Sequence, residues 1–412
     1  MAKRSEPRRW DVVLYGASGF VGRQTVAHFA AHAPSGLRWA IAGRDARKLQ
    51  AVAEGAGLAA PEVLLADAQD AAALARLAAS ARVVLSSAGP YALYGSGLVA
   101  ACVEAGTHYV DLTGETPWVR GLIDRHHAQA AASGTRIVPG CGFDSVPSDL
   151  CAWLLAQALW QGHGEPVAEV KAAFSLRGGL NGGTFASLLN IAAAGQQAQM
   201  AEPFLLNPPG SVPAQQTAHA DPLGPHRDAD FGGAWLAPFV MGPINTRVVR
   251  RSAALAQAAG EPLYALGFRY QEYLRTGRGA AAALLAAGMS LGLNSGPPAL
   301  KFAPVRRFAA ALAPKPGEGP SEARMDGGGF RCEALGRSAS GLEARVKMSF
   351  AGDPGNRATT VFVCEAALAL LEPGPRGLPG GSRRGGLLTP ASALGDVLVQ
   401  RLRARGVEIA LS

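Results

Sequence analysis

Charge is scarce in this chain. Of its 412 residues only 17% are charged, against about 25% in an ordinary globular protein. Hydrophobic residues reach 48%, and that balance excludes a largely disordered chain, which needs few apolar residues and many charges. Cysteine is scarce too. Cys102, Cys141, Cys151, Cys332 and Cys364 are odd in number and none stands at C-x-x-C spacing. A disulfide scaffold and a zinc site are therefore not expected, and a reducing cytoplasm is. No basic run is interleaved with aromatics, so no nucleic-acid face is expected from the +8 net charge. No apolar core precedes Asp11, so the basic N-terminus does not read as a secretory signal. The 52 glycines and 28 prolines follow no period, which excludes collagen, and no internal repeat is found.

A long unbroken apolar run is also missing. Residues 279–300 carry no charge, but Gly288, Ser290, Asn294, Ser295 and the Pro297-Pro298 pair interrupt them. A spanning helix needs about 20 continuous apolar residues. The stretch is expected to be a buried or surface-seeking helix, with peripheral lipid contact as its partner reading.

What is present is alternation. Short apolar runs at 11–15, 38–42, 63–66, 83–86, 108–111 and 136–139 are separated by alanine-rich helical segments at 22–32, 45–55, 71–79, 96–105 and 118–132. Strands alternating with helices predict right-handed crossovers and a parallel sheet covered on both faces. After Pro147 the pattern changes. A helix is expected over 148–159 with Ser148 as its cap, a strand over 169–176, and a helix from 184 to about 197. Residues 202–234 read as a long loop. Thr246–Arg251 and Tyr264–Leu274 stay ambiguous. An antiparallel pair over 330–335 and 342–350 follows, then a helix over 357–371. A glycine-rich linker at 373–386 precedes a last helix over 390–405 and a short apolar end at 407–411.

Gly16-Ala17-Ser18-Gly19-Phe20-Val21-Gly22 directly follows the first strand and opens a helix. Gly16 suits the tight turn, Gly19 lets the backbone approach a pyrophosphate, and Gly22 allows the helix to pack on the strand. The helix N-terminus favours the phosphate charge. The second strand ends in Gly43-Arg44 rather than a carboxylate. A guanidinium there pairs with a 2′-phosphate, so NADP(H) is expected rather than NAD, with Lys48 one turn on adding charge. Ser87-Ala88-Gly89-Pro90-Tyr91 follows the fourth strand, where the chain would turn across the nicotinamide side. A plain Gly-Pro turn is the alternative there.

Asp111, Glu115, Asp144 and Asp149 lie just past the fifth and sixth strands, on the same edge. A buried carboxyl among them would serve as proton donor or substrate anchor. Helix capping competes for Asp144 and Ser148. Tyr91, Glu115 and Asp144 are the candidate catalytic residues. Cys141 reads as a packed residue, since no histidine is placed beside it. His126-His127 face two directions and make no metal site, and no Gly-x-Ser-x-Gly elbow signals a serine hydrolase.

These motifs together resemble the saccharopine dehydrogenase-like oxidoreductases, most closely the trans-acting enoyl reductase branch. The late Asp353-Pro354-Gly355 and Gly386-Leu-Leu-Thr-Pro-Ala391 fit as well. The resemblance implies a Rossmann-like doubly wound parallel sheet over 1–147, completed by 386–412. It implies a second α/β or α+β domain over 148–385 that carries the substrate site. It further implies an NADPH-dependent reductase acting in lipid metabolism on an enoyl bond of an apolar acyl or polyketide chain, free or carrier-bound. Two alternatives stay open: an imine or amino-acid reductase of the saccharopine type, with Lys171 and Arg177 as substrate cations, and a non-catalytic dinucleotide-binding protein on lipid. A homodimer is a further partner reading.

Overall fold

In the computed structural model the described residues are 8–58, 62–178, 187, 190–191, 193–212, 219–300, 302–312, 318–371 and 377–412. The six apolar runs become β1 (Trp10–Tyr15), β2 (Trp39–Gly43), β3 (Val63–Leu65), β4 (Ala81–Ser86), β5 (His108–Asp111) and β6 (Arg136–Val138). Between them lie α1 (Phe20–His32), α2 (Ala46–Gly55), α3 (Ala71–Ser80), α4 (Tyr91–Tyr94), α5 (Ser96–Ala105) and α6 (Thr116–Ser133). All pairings in this sheet are parallel. The order is β13-β6-β5-β4-β1-β2-β3, where β13 is Gly386–Leu387. Successive residues serve opposite cores. Val12, Leu14, Val83 and Leu85 face one, and Val13, Val84 and Tyr109 face the other. That is why these strands are apolar throughout and do not alternate. This is the Rossmann-like, doubly wound arrangement, and its order reverses between β1 and β4, where such sheets open a ligand crevice.

The second sheet holds β7 (Val167–Arg177), β8 (His226–Asp228), β9 (Ala234–Pro238), β10 (Tyr264–Gly277), β11 (Gly329–Ser338), β12 (Glu343–Ala351) and β14 (Glu408–Leu411). Its order is β14-β12-β11-β7-β10-β9-β8. Only β7 and β10 pair in parallel; the other pairs are antiparallel. The helices of this half are α7 (Val146–His163), α8 (Gln197–Ala201), α9 (Gly242–Ala258), α10 (Ala280–Ala299), α11 (Ala303–Leu312), α12 (Glu322–Asp326), α13 (Thr359–Ala369) and α14 (Pro390–Ala404).

Three helices join the sheets. Helix α7 packs on β7, β11 and β12, α13 packs on α1, β4 and β5, and α14 packs on both helices. Buried Glu365 of α13 fastens this layer. Its carboxylate accepts from Arg401 and Arg405 at 2.8 Å and meets His28 of α1 at 3.1 Å. The expected division at 147/148 and 385/386 therefore cuts through a shared core. Residues 359–369 lie against the first sheet. The terminal strand 408–411, expected with the first domain, pairs with β12, because Ile409 buries beside that strand's apolar face.

Other expectations shift. Ser148 does not cap α7; the helix begins at Val146 with Ser145 at the cap position. Pro147 suits the first helical turn, where its missing N–H leaves no intrahelical bond unmade. Residues 202–234 contain β8 and a 3₁₀ turn, and Ala234 opens β9. Thr246–Arg251 is helical and Tyr264–Leu274 is a strand. Of the helix expected at 184–197, residues 184–186, 188–189 and 192 lie outside the described residues, as do 372–376 of the linker.

Candidate active site

The glycine turn is held by contact as much as by torsion. Gly16 has φ +81°, and a methyl group there would meet the backbone nitrogen of Ala88 at 2.8 Å. A methyl group on Gly22 would lie 2.2 Å from the Gly16 carbonyl oxygen. The turn thus seats against both its own helix and the loop after β4. Gly19 occupies the cap position of α1 with no side-chain cap, which leaves a helix N-terminus suited to a pyrophosphate. Ser87 pins the neighbouring loop: its N–H donates to the Tyr15 carbonyl at 2.9 Å, and its hydroxyl reaches the Tyr15 and Gly16 carbonyls at 3.2 Å. Registers Tyr15↔Ala42 and Tyr15↔Ser86 bring Gly16–Val21, Gly43–Arg44 and Ser87–Pro90 to one edge.

Arg44 is exposed at the end of β2 and carries no hydrogen bond or ion pair among the described residues. The adjacent carboxylate, Asp45, is already engaged in capping α2 through the Lys48 N–H at 3.1 Å. Ser18, Phe20 and Lys48 also line an open cleft of about 910 Å³ that runs between α1, α2 and residues 320–326 and 350–361. Gly319 seats on the Phe20 ring there, where a methyl group would come within 2.4 Å.

Two of the three candidate catalytic residues turn out to hold the loop after β4. The Glu115 carboxylate accepts from the N–H groups of Tyr91 (2.8 Å) and Ala92 (2.9 Å), and from the Ser187 hydroxyl (2.7 Å). It caps the short helix α4. The Tyr91 hydroxyl donates to the Ser86 carbonyl at 3.0 Å, and burial pushes its pKa well above the ordinary value. Both side chains are buried. Both lie at the edge where β4 and β5 end, and the Tyr91 hydroxyl points back into the strand end.

Asp144 differs. It is partly exposed in the turn after β6 and makes no hydrogen bond among the described residues. Loss of water around it raises its pKa to about 6. It faces Gly114, where a methyl group would stand 3.7 Å from the carboxylate and 2.9 Å from Ile244. Neither capping expectation holds: Asp144 does not cap α7, and the Ser148 hydroxyl donates instead to Glu272 at 2.7 Å. Asp111 and Asp149 are structural ties. Asp111 accepts from Tyr109 (2.9 Å), Thr113 N–H (3.0 Å) and Gly140 N–H (2.9 Å). Asp149 accepts from Ser252 and from Ala391 N–H at 2.7 Å, joining α7, α9 and α14. Burial raises both to about 7. Cys141 is buried and donates to the Val138 carbonyl, with its thiol pKa pushed well up by burial, as expected of a packed residue.

The far wall comes from α9, which the sequence left unassigned. Leu206, Ile244 and Val248 approach Thr113, Gly114 and Gly140 around a void of only about 20 Å³, so no deep tunnel is open among these residues. The same helix carries three buried arginines at i, i+3 and i+4, Arg247, Arg250 and Arg251, and Arg251 itself lines the void. Arg247 reaches the Glu202 carbonyl and Asp221. Arg250 reaches the carbonyls of Pro203 (2.9 Å), His219 (2.7 Å) and Tyr270 (3.2 Å). Arg251 reaches those of Leu206 and Leu387. They tie residues 202–206 and 219–221 to the wall. Three arginines on one stripe of a helix were the signal available in the sequence. Lys171 pairs with Asp228 and Asp230, and Arg177 is exposed at the end of β7. Among the described residues no cluster of His, Cys, Asp and Glu has metal-binding geometry.

Comparison with known proteins agrees with this geometry. The saccharopine dehydrogenase NADP binding domain family matches residues 12–138, which cover β1 to β6. A trans-acting enoyl reductase of Mycobacterium ulcerans is 38% identical over 98% of this chain and 98% of its own. One of Mycobacterium tuberculosis is 38% identical over 97% of each. The saccharopine dehydrogenase (L-Glu forming) of Saccharomyces cerevisiae superposes over 98% of this chain and 99% of its own, with a TM-score of 0.51 at 15% identity. That last likeness is one of fold. The chain belongs to the trans-acting enoyl reductase branch of the saccharopine dehydrogenase-like, NADP-dependent oxidoreductases.

Proposed function

We propose that this protein uses NADPH to reduce a carbon–carbon double bond conjugated to a thioester carbonyl in an apolar acyl chain. The observation that carries the reading is the crevice wall. Leu206, Ile244 and Val248 face Gly114 and its neighbours, while Arg247, Arg250 and Arg251, the last of which also lines this wall, are committed to main-chain carbonyls and Asp221. An imine substrate bearing several carboxylates needs a cluster of free cations, and with Lys171 paired to Asp228 and Asp230 the two expected cations reduce to Arg177, exposed at the end of β7. The name shared by the relatives, trans-acting enoyl reductase, fits a chain presented by a separate carrier or synthase.

Gly16–Val21, Gly43 and Ser87–Pro90 would hold the pyrophosphate and nicotinamide portions of the cofactor, and Arg44 with Lys48 its 2′-phosphate. The glycine turn fits that group, since the approach it permits is closed to any side chain at positions 16 and 22. When bound, NADPH supplies the hydride for the β carbon. Asp144, protonated below its raised pKa of about 6, supplies the proton for the α carbon. Glu115 and Tyr91 are positioning residues, acting through the Gly89–Pro90 loop. Ile244 and Val248 exclude water.

The test is NADPH oxidation by the purified protein with 2-enoyl thioesters of increasing chain length. The saturated thioester should carry deuterium at the β carbon when the nicotinamide C4 is labelled. Turnover of a lysine-derived imine with no turnover of any enoyl thioester would overturn the reading.

A further inference from the structure

Helix α10 is built inside out. It packs on β9 and β10 through small residues: Ala282, Ala286 and Ser290 are buried, and the Ser290 hydroxyl returns to the Ala286 carbonyl at 2.8 Å. Three of its leucines point away from the protein, while Met289 and Leu293 are half-buried. Leu284 is 75% exposed, Leu285 53% and Leu291 69%. Ala280, Ala281, Ala287, Gly288 and Gly292 share that exposed face, which therefore bears no charged side chain along a helix of about 30 Å. The patch extends beyond the helix. Asn294 donates to the Leu223 carbonyl at 2.7 Å and draws in that loop, whose leucine is also exposed. Phe302 and Val305 continue it past the helix end. Monomeric soluble proteins rarely leave so large an apolar face open.

Charge along this stretch of the chain has one sign. From Tyr273 to Gly317 the sequence holds Arg275, Arg278, Lys301, Arg306, Arg307 and Lys315, and no Asp or Glu. Arg275 pairs with Glu333; Arg278, just before the helix, and Arg307, just after it, are exposed. Among the described residues no helix is long and apolar enough to cross a bilayer. A helix with an apolar outer face, lying flat and flanked by cations, has the form of an interfacial element on an anionic membrane.

We propose that the outer face of α10, extended by Leu223, Phe302 and Val305, lies on an anionic lipid surface, with Arg278 and Arg307 meeting the headgroups. The proposal is independent of the substrate reading above.

Flotation with vesicles tests it on the full-length protein. Wild type should float with phosphatidylcholine–phosphatidylglycerol vesicles and less with phosphatidylcholine alone, and added salt should weaken the anionic binding. The double variant Leu284→Asp with Leu291→Asp should lose at least tenfold of this binding, about as expected for losing the apolar insertion. Arg278→Ala with Arg307→Ala should weaken binding about tenfold on anionic vesicles only. NADPH binding, followed by cofactor fluorescence, should be unchanged in both and reports that they fold. Equal flotation of wild type and the leucine variant would overturn the proposal. So would a concentration-dependent dimer, lost in the leucine variant, with no flotation of wild type. That result would assign the face to a second copy of the chain.

Discussion

The carboxylate of Glu115 receives the backbone N–H of Tyr91 at 2.8 Å, from a position 24 residues later in the chain. This bond ties the end of β5 to the loop after β4, the loop that would lie against the nicotinamide. A residue type that suggests acid–base chemistry here acts as a cap for one short helix turn.

Replacing Glu115 by Ala removes the acceptor of two main-chain donors. Stability should fall by about 2 kcal/mol, the range for a lost cap with a buried donor left unpaired. The dissociation constant for NADPH should rise, because the Gly89–Pro90 loop loses its anchor. Urea denaturation and fluorescence titration measure the two effects separately. Glu115→Gln keeps one acceptor oxygen and should recover part of both.

Arg44→Ala should raise the KM for NADPH by at least tenfold, as for the loss of a bidentate phosphate contact of about 1.5–3 kcal/mol. NADH use should be nearly unchanged, since that cofactor has no 2′-phosphate. Steady-state kinetics with both cofactors checks this. An equal loss with both would remove Arg44 from the site.

Asp144→Asn should lower kcat by about 10²-fold, the typical contribution of a positioned general acid, and leave NADPH binding intact. The pH profile carries more information. Burial raises the carboxyl to about 6, and the protonated form is the donor. The wild-type rate should therefore fall as pH rises through about 6, and the Asn variant should lack this limb.

Three buried carboxyls make stability depend on pH in one direction. Asp111 and Asp149 are raised to about 7 and Glu272 to about 8. In each case desolvation is the largest cause, opposed by hydrogen bonds. The folded state therefore holds these protons to higher pH than the unfolded chain does. Their stabilising contribution is complete below about 4 and is lost as pH rises through about 7 to 8. The melting temperature should decline between pH 5 and 8. Glu272→Gln, which can keep partners in Ser148, Asn245 and Tyr270, should flatten that decline. Calorimetry across the range reads it directly.

The cofactor half was legible because its signals are local. The Gly16–Gly22 turn, the apolar strands and the missing carboxylate at Arg44 each depend on neighbours within one β-turn-α unit. The placement of Ser87–Pro90 and of Asp144 on one edge follows once the parallel strand order is known. The second half was less legible. Arg247, Arg250 and Arg251 look like a charged face in sequence, yet they are buried because carbonyls of 202–219, Tyr270 and Leu387 surround them. Glu272 reads as a surface glutamate, and only Ser148, Asn245 and Tyr270 meeting around it explain its burial.

The scarcity of charge illustrates the same division. By itself the sequence determined a doubly wound parallel sheet, a glycine turn that opens a helix with a cation at the end of the next strand, and a charge-poor helix near 279–300. Periodicity, turn chemistry and composition act over a few residues and need no tertiary context. Tertiary structure decided which carboxyls are anchors and which one is free, since that depends on donors brought from distant strands. It also decided which way α10 faces. Alanine and serine fit close against β9 and β10, so the leucines that hydropathy alone would bury are the ones left outside.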